Sequence, residues 1–211
     1  MTTDDYAQAT RLLAKRDPVL GAIIRQHGAC GLARDQRTDP FAALIEAIAW
    51  QQLSTKAAAR IFERFLALFP DSSVLTPADL VALPDSRLRT VGLSGQKIGY
   101  LRDLCEKVFD GRLRFDSLDR MSDENVIAAL TQVKGIGRWS AEMFLMFRLH
   151  RLDVLPVADL GIIRAIQKAY HLRKPPAPKR MLEIGQAWRP YRSIAAWYLW
   201  ASIESAPLNR G

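Results

Sequence analysis

The sequence predicts an all-α protein, and three observations carry that expectation. Apolar residues recur at helical spacing along the 211-residue chain, while strand-type alternation persists nowhere. Helix-start signals precede those patterns, as at Asp39-Pro40, Thr76-Pro77 and Ser122-Asp123-Glu124. Apolar residues make up 49% of the chain, enough to close the core of one domain or of two small ones.

Taken in order, 6–13 and 19–26 read as two short opening helices, and 28–38, with Arg34 and Arg37, as a solvated loop. Asp39-Pro40 opens a helix with Phe41, Leu44, Ile45 and Ile48 on one face, ending near Trp50-Gln51-Gln52-Leu53. Ser54 caps the next, whose stripe is Ala57, Ala58, Ile61, Phe62, Phe65 and Leu66. Two adjacent amides between apolar helices are odd for a loop that only connects. Thr76-Pro77 and Pro84-Asp85 open short helices. Val91-Gly92-Leu93-Ser94-Gly95-Gln96-Lys97 is a degenerate glycine turn before a helix with Ile98, Leu101, Leu104, Cys105 and Val108 inward. A phosphate contact through Ser94 or Lys97 is one reading of that turn, and a core turn the simpler one.

Ser122 caps a helix with Val126, Ala129, Leu130 and Val133 on one face. After a glycine hairpin, Trp139, Met143, Phe144, Met146, Phe147 and Leu149 make a segment apolar nearly all round, which predicts a buried helix. The helix after Asp159 carries Leu160, Ile163, Ile166 and Tyr170 on one face. Residues 175–178 break the chain with prolines, and Pro190 marks the start of the last helix. Trp188, Tyr191, Trp197 and Trp200 cluster in that closing stretch, where tryptophans at helical spacing usually mean core.

The chemistry gathers around Val133-Lys134-Gly135-Ile136-Gly137-Arg138-Trp139. Glycine enters positive φ cheaply and lets other groups approach the backbone. A hairpin that ends at a helix N-terminus points unpaired N–H groups outward, an anion site, and Lys134 and Arg138 add positive charge. A phosphate would be held there without regard to base sequence; a tight turn between two core helices explains the same residues. Asp159 reads as a capping aspartate, or as a carboxylate favoured in its charged form by the helix and able to stabilise a developing cation.

There are 30 Lys and Arg against 22 Asp and Glu, a net charge of +8, which favours a polyanionic partner, nucleic acid ahead of membrane. Cys30 and Cys105 are the only cysteines, and no Cys or His pair has zinc-ligand spacing. Two thiols exclude a four-thiolate iron–sulfur cluster within the chain and suit a reducing cytosol. No signal peptide and no membrane-spanning run is visible, so the expected location is cytoplasmic, nucleoid-associated in a bacterium.

KGIGRWSAEMF followed by VLPVADLGI resembles the helix-hairpin-helix–GPD superfamily of DNA glycosylases, in particular its AlkA and yeast Mag branch of 3-methyladenine glycosylases. The similarity runs from about residue 39 to 205. It implies one domain over 1–211, built of two helical subdomains flanking a DNA-binding cleft. The helix-hairpin-helix falls at about 122–150 and the catalytic Asp loop at 153–161, without the N-terminal β domain of AlkA.

That resemblance also implies the activity. The enzyme is a monomer that flips an alkylated base out of double-stranded DNA and hydrolyses the N-glycosidic bond, leaving an abasic site. Asp159 is the catalytic carboxylate, stabilising oxocarbenium-like charge and orienting water. Gln52, with Leu53 beside it, is the wedge that fills the gap; an apolar residue stands there in AlkA-type enzymes. Lys134, Gly135, Gly137, Arg138 and Ser54 bind DNA phosphates. Trp139 and Trp200 form an electron-rich base pocket suited to a cationic lesion, with Met143, Phe147 and Trp50 as further lining. Strand-cleaving members of the superfamily carry a lysine where this chain has Trp139, so a monofunctional hydrolase is expected. The carbonyls of Thr131, Val133 and Gly135 are the family's site for a structural sodium or potassium ion; no other cofactor is implied. The competing readings are a non-catalytic helix-hairpin-helix DNA-binding module and a monofunctional glycosylase for other lesions.

Overall fold

The computed structural model describes residues 3–34, 39–70 and 74–203. Among these the chain forms α-helices and two 3-10 turns, and no strand. It divides into two compact units. One, terminal, joins Met1–Arg37 to Leu145–Gly211; the other, central, is Thr38–Phe144.

The terminal unit contains α1 (Thr3–Arg16), α2 (Pro18–His27) and a 3-10 turn (Gly31–Arg34) from the start of the chain. The rest comes from its end: α11 (Leu160–Ala169), α12 (Pro178–Ile184), a 3-10 turn (Gly185–Trp188) and α13 (Arg192–Ala201). α13 packs against α1, α2 and α11, and Ile194, Ala195, Ala196, Tyr198 and Leu199 are all buried. Burial pushes the Tyr198 hydroxyl up to about 12, and that hydroxyl donates to the Gly28 carbonyl at 2.6 Å.

Asp17 ties the two ends of the chain together. It is the buried N-cap of α2 and accepts from Trp188 Nε1 at 2.8 Å and Tyr170 Oη at 2.5 Å. Four neutral donors, these two and the Val19 and Leu20 N–H groups, satisfy a carboxylate that would otherwise be costly to bury.

The central unit comprises α3 (Pro40–Trp50), α4 (Thr55–Leu66), α5 (Pro77–Ala82), α6 (Asp85–Thr90), α7 (Gly95–Phe109), α8 (Phe115–Leu118) and α9 (Asp123–Leu130). α10 (Arg138–Phe147) starts here, and the unit boundary falls inside it. α7 packs against α3, α5 and α6. Arg102 of α7 reaches the Leu80 and Leu83 carbonyls at 2.6 and 2.5 Å and Asp85 Oδ1 at 2.7 Å, gathering the short helices around it. The turn before α7 is a core turn, with Val91 and Leu93 buried, Gly92 at φ 102° and Ser94 capping the helix.

Helix starts follow the capping signals. Asp39, Ser54, Thr76, Ser94, Ser122 and Asp159 all accept first-turn N–H groups. Three helix faces differ from expectation. α10 is not buried all round, because Trp139 is 48% exposed. The buried face of α11 is Ile162, Ala165 and Ile166, while Leu160 is 67% exposed. Leu160 directly follows the cap, and one register step turns it away from the core stripe. In α9, Ile127 rather than Ala129 joins Val126 and Leu130 in the core. Residues 35–38 of the expected solvated loop lie outside the described residues.

Candidate active site and nucleic-acid interface

In the terminal unit the structure is built to hold Asp159. A turn from Pro156 (Asp159 N–H to Pro156 O, 3.0 Å) delivers it to the N-cap of α11. Its Oδ1 accepts both the Ile162 N–H at 2.8 Å and the Trp200 indole N–H at 2.9 Å. The carboxylate is 8% exposed. Trp200 in turn stacks on Phe147, with ring centroids 6.0 Å apart and planes 24° from parallel.

α13 secures the same loop at both ends. At its start, Arg192 makes a two-pronged bond to Asp153 (2.6 and 3.0 Å) and a third to the Asp153 carbonyl. Ser193 Oγ accepts from Val154 N–H at 3.0 Å and donates to the Arg151 carbonyl at 2.6 Å. At its end comes Trp200. Gly161 makes the approach possible: a Cβ there would lie 3.0 Å from both Asp159 Oδ1 and Trp200 Cδ1.

In the central unit, residues 131–137 form the hairpin. Gly135 has φ 83°, and a Cβ on it would fall 2.2 Å from Tyr100 Cδ2, so conformation and packing both demand glycine there. Nothing lies within 4 Å of a Cβ on Gly137, whose carbonyl accepts the Ala141 N–H at 3.0 Å. Gly137 therefore precedes α10 with no side chain of its own, so the backbone at that helix N-terminus, where an anion is favoured, is open to close approach. The hairpin is braced from α7 by Asp103, which is buried and accepts the Lys134 N–H at 2.9 Å and Lys107 Nζ at 3.0 Å. Burial by itself raises the Asp103 carboxyl, but the Lys134 N–H and the Lys107 ammonium outweigh it and hold the group below its ordinary value.

The loop of residues 51–53 is a type II β-turn. Gln51 has φ −54° and ψ 136°, Gln52 has φ 58°, and the Leu53 N–H reaches the Trp50 carbonyl at 3.3 Å. The third position of such a turn favours glycine, yet Gln52 occupies it with its side chain exposed, and Leu53 is exposed beside it. Ser54 caps α4 through the Ala57 N–H.

The predicted site residues thus fall on both units. Asp159, Trp200 and Phe147 meet in the terminal unit. The hairpin, Gln52, Leu53, Ser54, Trp50, Trp139 and Met143 belong to the central one. Trp139, Met143 and Phe147 follow at four-residue spacing along one stripe of α10. The Trp50 indole N–H is buried without a hydrogen-bond partner. Arg138 is engaged by Glu124, through both Nη atoms at 3.0 and 2.6 Å, and by Glu142 at 3.1 Å. Its charge therefore braces α9 against α10. Lys134 stays exposed, 3.4 Å from Asp103. Trp188 is core, and Trp197 packs edge-on to Tyr198 and against Gly31. Lys97 donates to the Ala49 carbonyl at 2.7 Å. Sequence reasoning assigned no role to Gln51, Asp103, Tyr100 or Gly161, whose partners include residues distant in the chain; the adjacent amides at 51–52 and the ionisable pair on the apolar face of α7 were the available signals.

A glycine hairpin feeding a helix N-terminus is the phosphate-binding device of helix-hairpin-helix DNA-binding proteins. The chain belongs to the HhH-GPD superfamily of base excision DNA repair proteins, which it matches over residues 45–190. It is 37% identical to DNA-3-methyladenine glycosylase 1 of Schizosaccharomyces pombe, across 83% of this chain and 77% of that protein. A DNA-3-methyladenine glycosidase from Bacillus halodurans superposes with a TM-score of 0.82 at 38% identity, over 92% of this chain and 88% of that one. The S. pombe 3-methyladenine DNA glycosylase in complex with abasic DNA gives 0.79 at 33%, over 92% and 96%.

Proposed function

We propose that this protein is a monofunctional DNA glycosylase of base excision repair, with DNA as its partner and alkylated bases of the 3-methyladenine and 7-methylguanine type as its substrates. The observation that carries this reading is the Asp159 carboxylate, held on one oxygen by the α11 N-terminus and by the Trp200 indole. Departure of the base leaves oxocarbenium-like positive charge on the sugar. A carboxylate already oriented stabilises that charge without reorganising at the moment of reaction. Asp159 also orients the attacking water.

A base that already carries positive charge leaves without a strong general acid, and the stacked rings of Trp200 and Phe147 favour a cationic guest. The 3-methyladenine glycosylases among the relatives support this substrate class. Trp139 stands where a Schiff-base lysine would be needed, so water is the nucleophile. The glycine hairpin at the N-terminus of α10 and Lys134 hold a backbone phosphate, and Gln52 plugs the stack.

The carbonyls of Val133 and Gly135 each accept one hydrogen bond and keep a second lone pair. With Thr131 they offer neutral oxygens suited to a hard monovalent cation, which would add positive charge beside the phosphate.

Duplexes each bearing one lesion (7-methylguanine, 8-oxoguanine or a mismatch) test the reading. Release of 7-methylguanine, with the strand intact until alkali is added, is the expected result. Strand cleavage without alkali, or release of 8-oxoguanine alone, overturns it. Binding without release of any base makes the chain a DNA-binding module.

A further inference from the structure

The two adjacent amides of the 51–53 loop do different things. Gln52 points outward from a turn position that favours glycine. Gln51 turns the other way, and its Nε2 donates to the Gly135 carbonyl at 2.7 Å, across 84 residues of sequence. That carbonyl is set by a backbone conformation available cheaply only to glycine, and the ring of Tyr100 occupies the space where a Cβ on Gly135 would lie. A second bond, from Lys97 Nζ to the Ala49 carbonyl at 2.7 Å, fixes the end of α3 from which the loop departs. A loop that only connected two helices would need neither bond, nor a glutamine in a glycine position.

We infer that Gln51 is a positioning residue that locks the plug-bearing turn onto the phosphate-binding hairpin. The inference rests on Gln52 acting as the plug and the hairpin holding phosphate. Its physical content is pre-organisation. If hairpin and turn are one body, anchoring a phosphate at the hairpin fixes where Gln52 enters the stack, and no further ordering cost falls on the extrusion step. Replacing Gln51 by leucine keeps the bulk, removes the donor, and frees the turn from the hairpin.

A double-mutant cycle tests this, with wild type, Gln51→Leu, Gln52→Ala and the double variant. Two readouts are taken: single-turnover release of 7-methylguanine, and binding to a duplex with a tetrahydrofuran abasic analogue opposite 2-aminopurine, whose fluorescence reports unstacking. The expected result is that Gln51→Leu slows release and weakens the fluorescence response about fivefold, the scale of one neutral hydrogen bond. In the Gln52→Ala background the same change has no further effect, because nothing remains to position. Equal losses in both backgrounds, with a lowered Tm, would show that Gln51 merely supports the fold and overturn the inference. No loss in either background overturns it as well. If wild type releases no base, the glycosylase reading fails by itself, and the fluorescence arm still decides the role of Gln51.

Discussion

Trp200 does two jobs with one ring: its face stacks on Phe147 and its N–H holds Asp159. Replacing it with Phe keeps the stack and removes the donor. Hydrogen bonds to charged groups contribute about 1.5–3 kcal/mol, so Trp200→Phe should lower Tm by several degrees and, in protein still folded at the assay temperature, single-turnover excision should fall about tenfold or more. Gly161→Ala probes the same contact from the other side. A methyl there crowds Asp159 Oδ1 and Trp200 Cδ1 at 3.0 Å, but alanine favours the helix by about 1 kcal/mol over glycine. Excision should therefore drop with no loss of Tm; a lowered Tm with normal excision would contradict the role assigned to that contact. Asp159 and the hairpin glycines were legible in the sequence because their motifs are contiguous. The hold of Trp200 on Asp159 was not, because it closes over 41 residues and an indole donor leaves no periodic trace.

At the scale of elements, the 51–53 turn sets stability against function. A non-glycine residue in left-handed conformation costs about 1–2 kcal/mol, so Gln52→Gly should raise thermal stability while slowing excision from duplex DNA. If stability and excision fall together, the glutamine is structural. The Asp103 brace makes a prediction about pH. Its carboxyl is held below the ordinary value in the folded protein, so its contribution is present above the unfolded pKa and lost as pH falls through the folded one. Asp103→Asn, which leaves buried Lys107 unpaired, should cost about 3 kcal/mol near neutrality. In denaturation series that gap should narrow below about pH 4; a gap that stays constant into acid would rule out the ion pair as its source. Capping side chains marked the starts of α3, α4, α5, α7, α9 and α11, because a side chain that bonds its own first turn is a local signal. The outward faces of Trp139 and Leu160 were not predictable, because periodicity reports apolar stripes and cannot tell core from a surface kept apolar for a ligand.

At the scale of the molecule, the opening helices α1 and α2 join the end of the chain rather than the segment that follows them. Asp17 fastens that union by accepting from Tyr170 and Trp188, a pairing of remote positions that no local pattern announces. The central unit carries the hairpin and the plug loop, and the terminal unit carries the carboxylate. With a net charge of +8, DNA binding should weaken as salt rises, and it should do so alike in variants that lack only the carboxylate. The central claim is that Asp159 performs the chemistry and takes little part in holding DNA. Its most direct test is single-turnover release of 7-methylguanine by wild type and Asp159→Asn, alongside the affinity of both for a tetrahydrofuran duplex. Loss of about a hundredfold or more in release, with affinity kept within a few fold, is the predicted result. Undiminished release by Asp159→Asn, or loss of release and binding together, would contradict it.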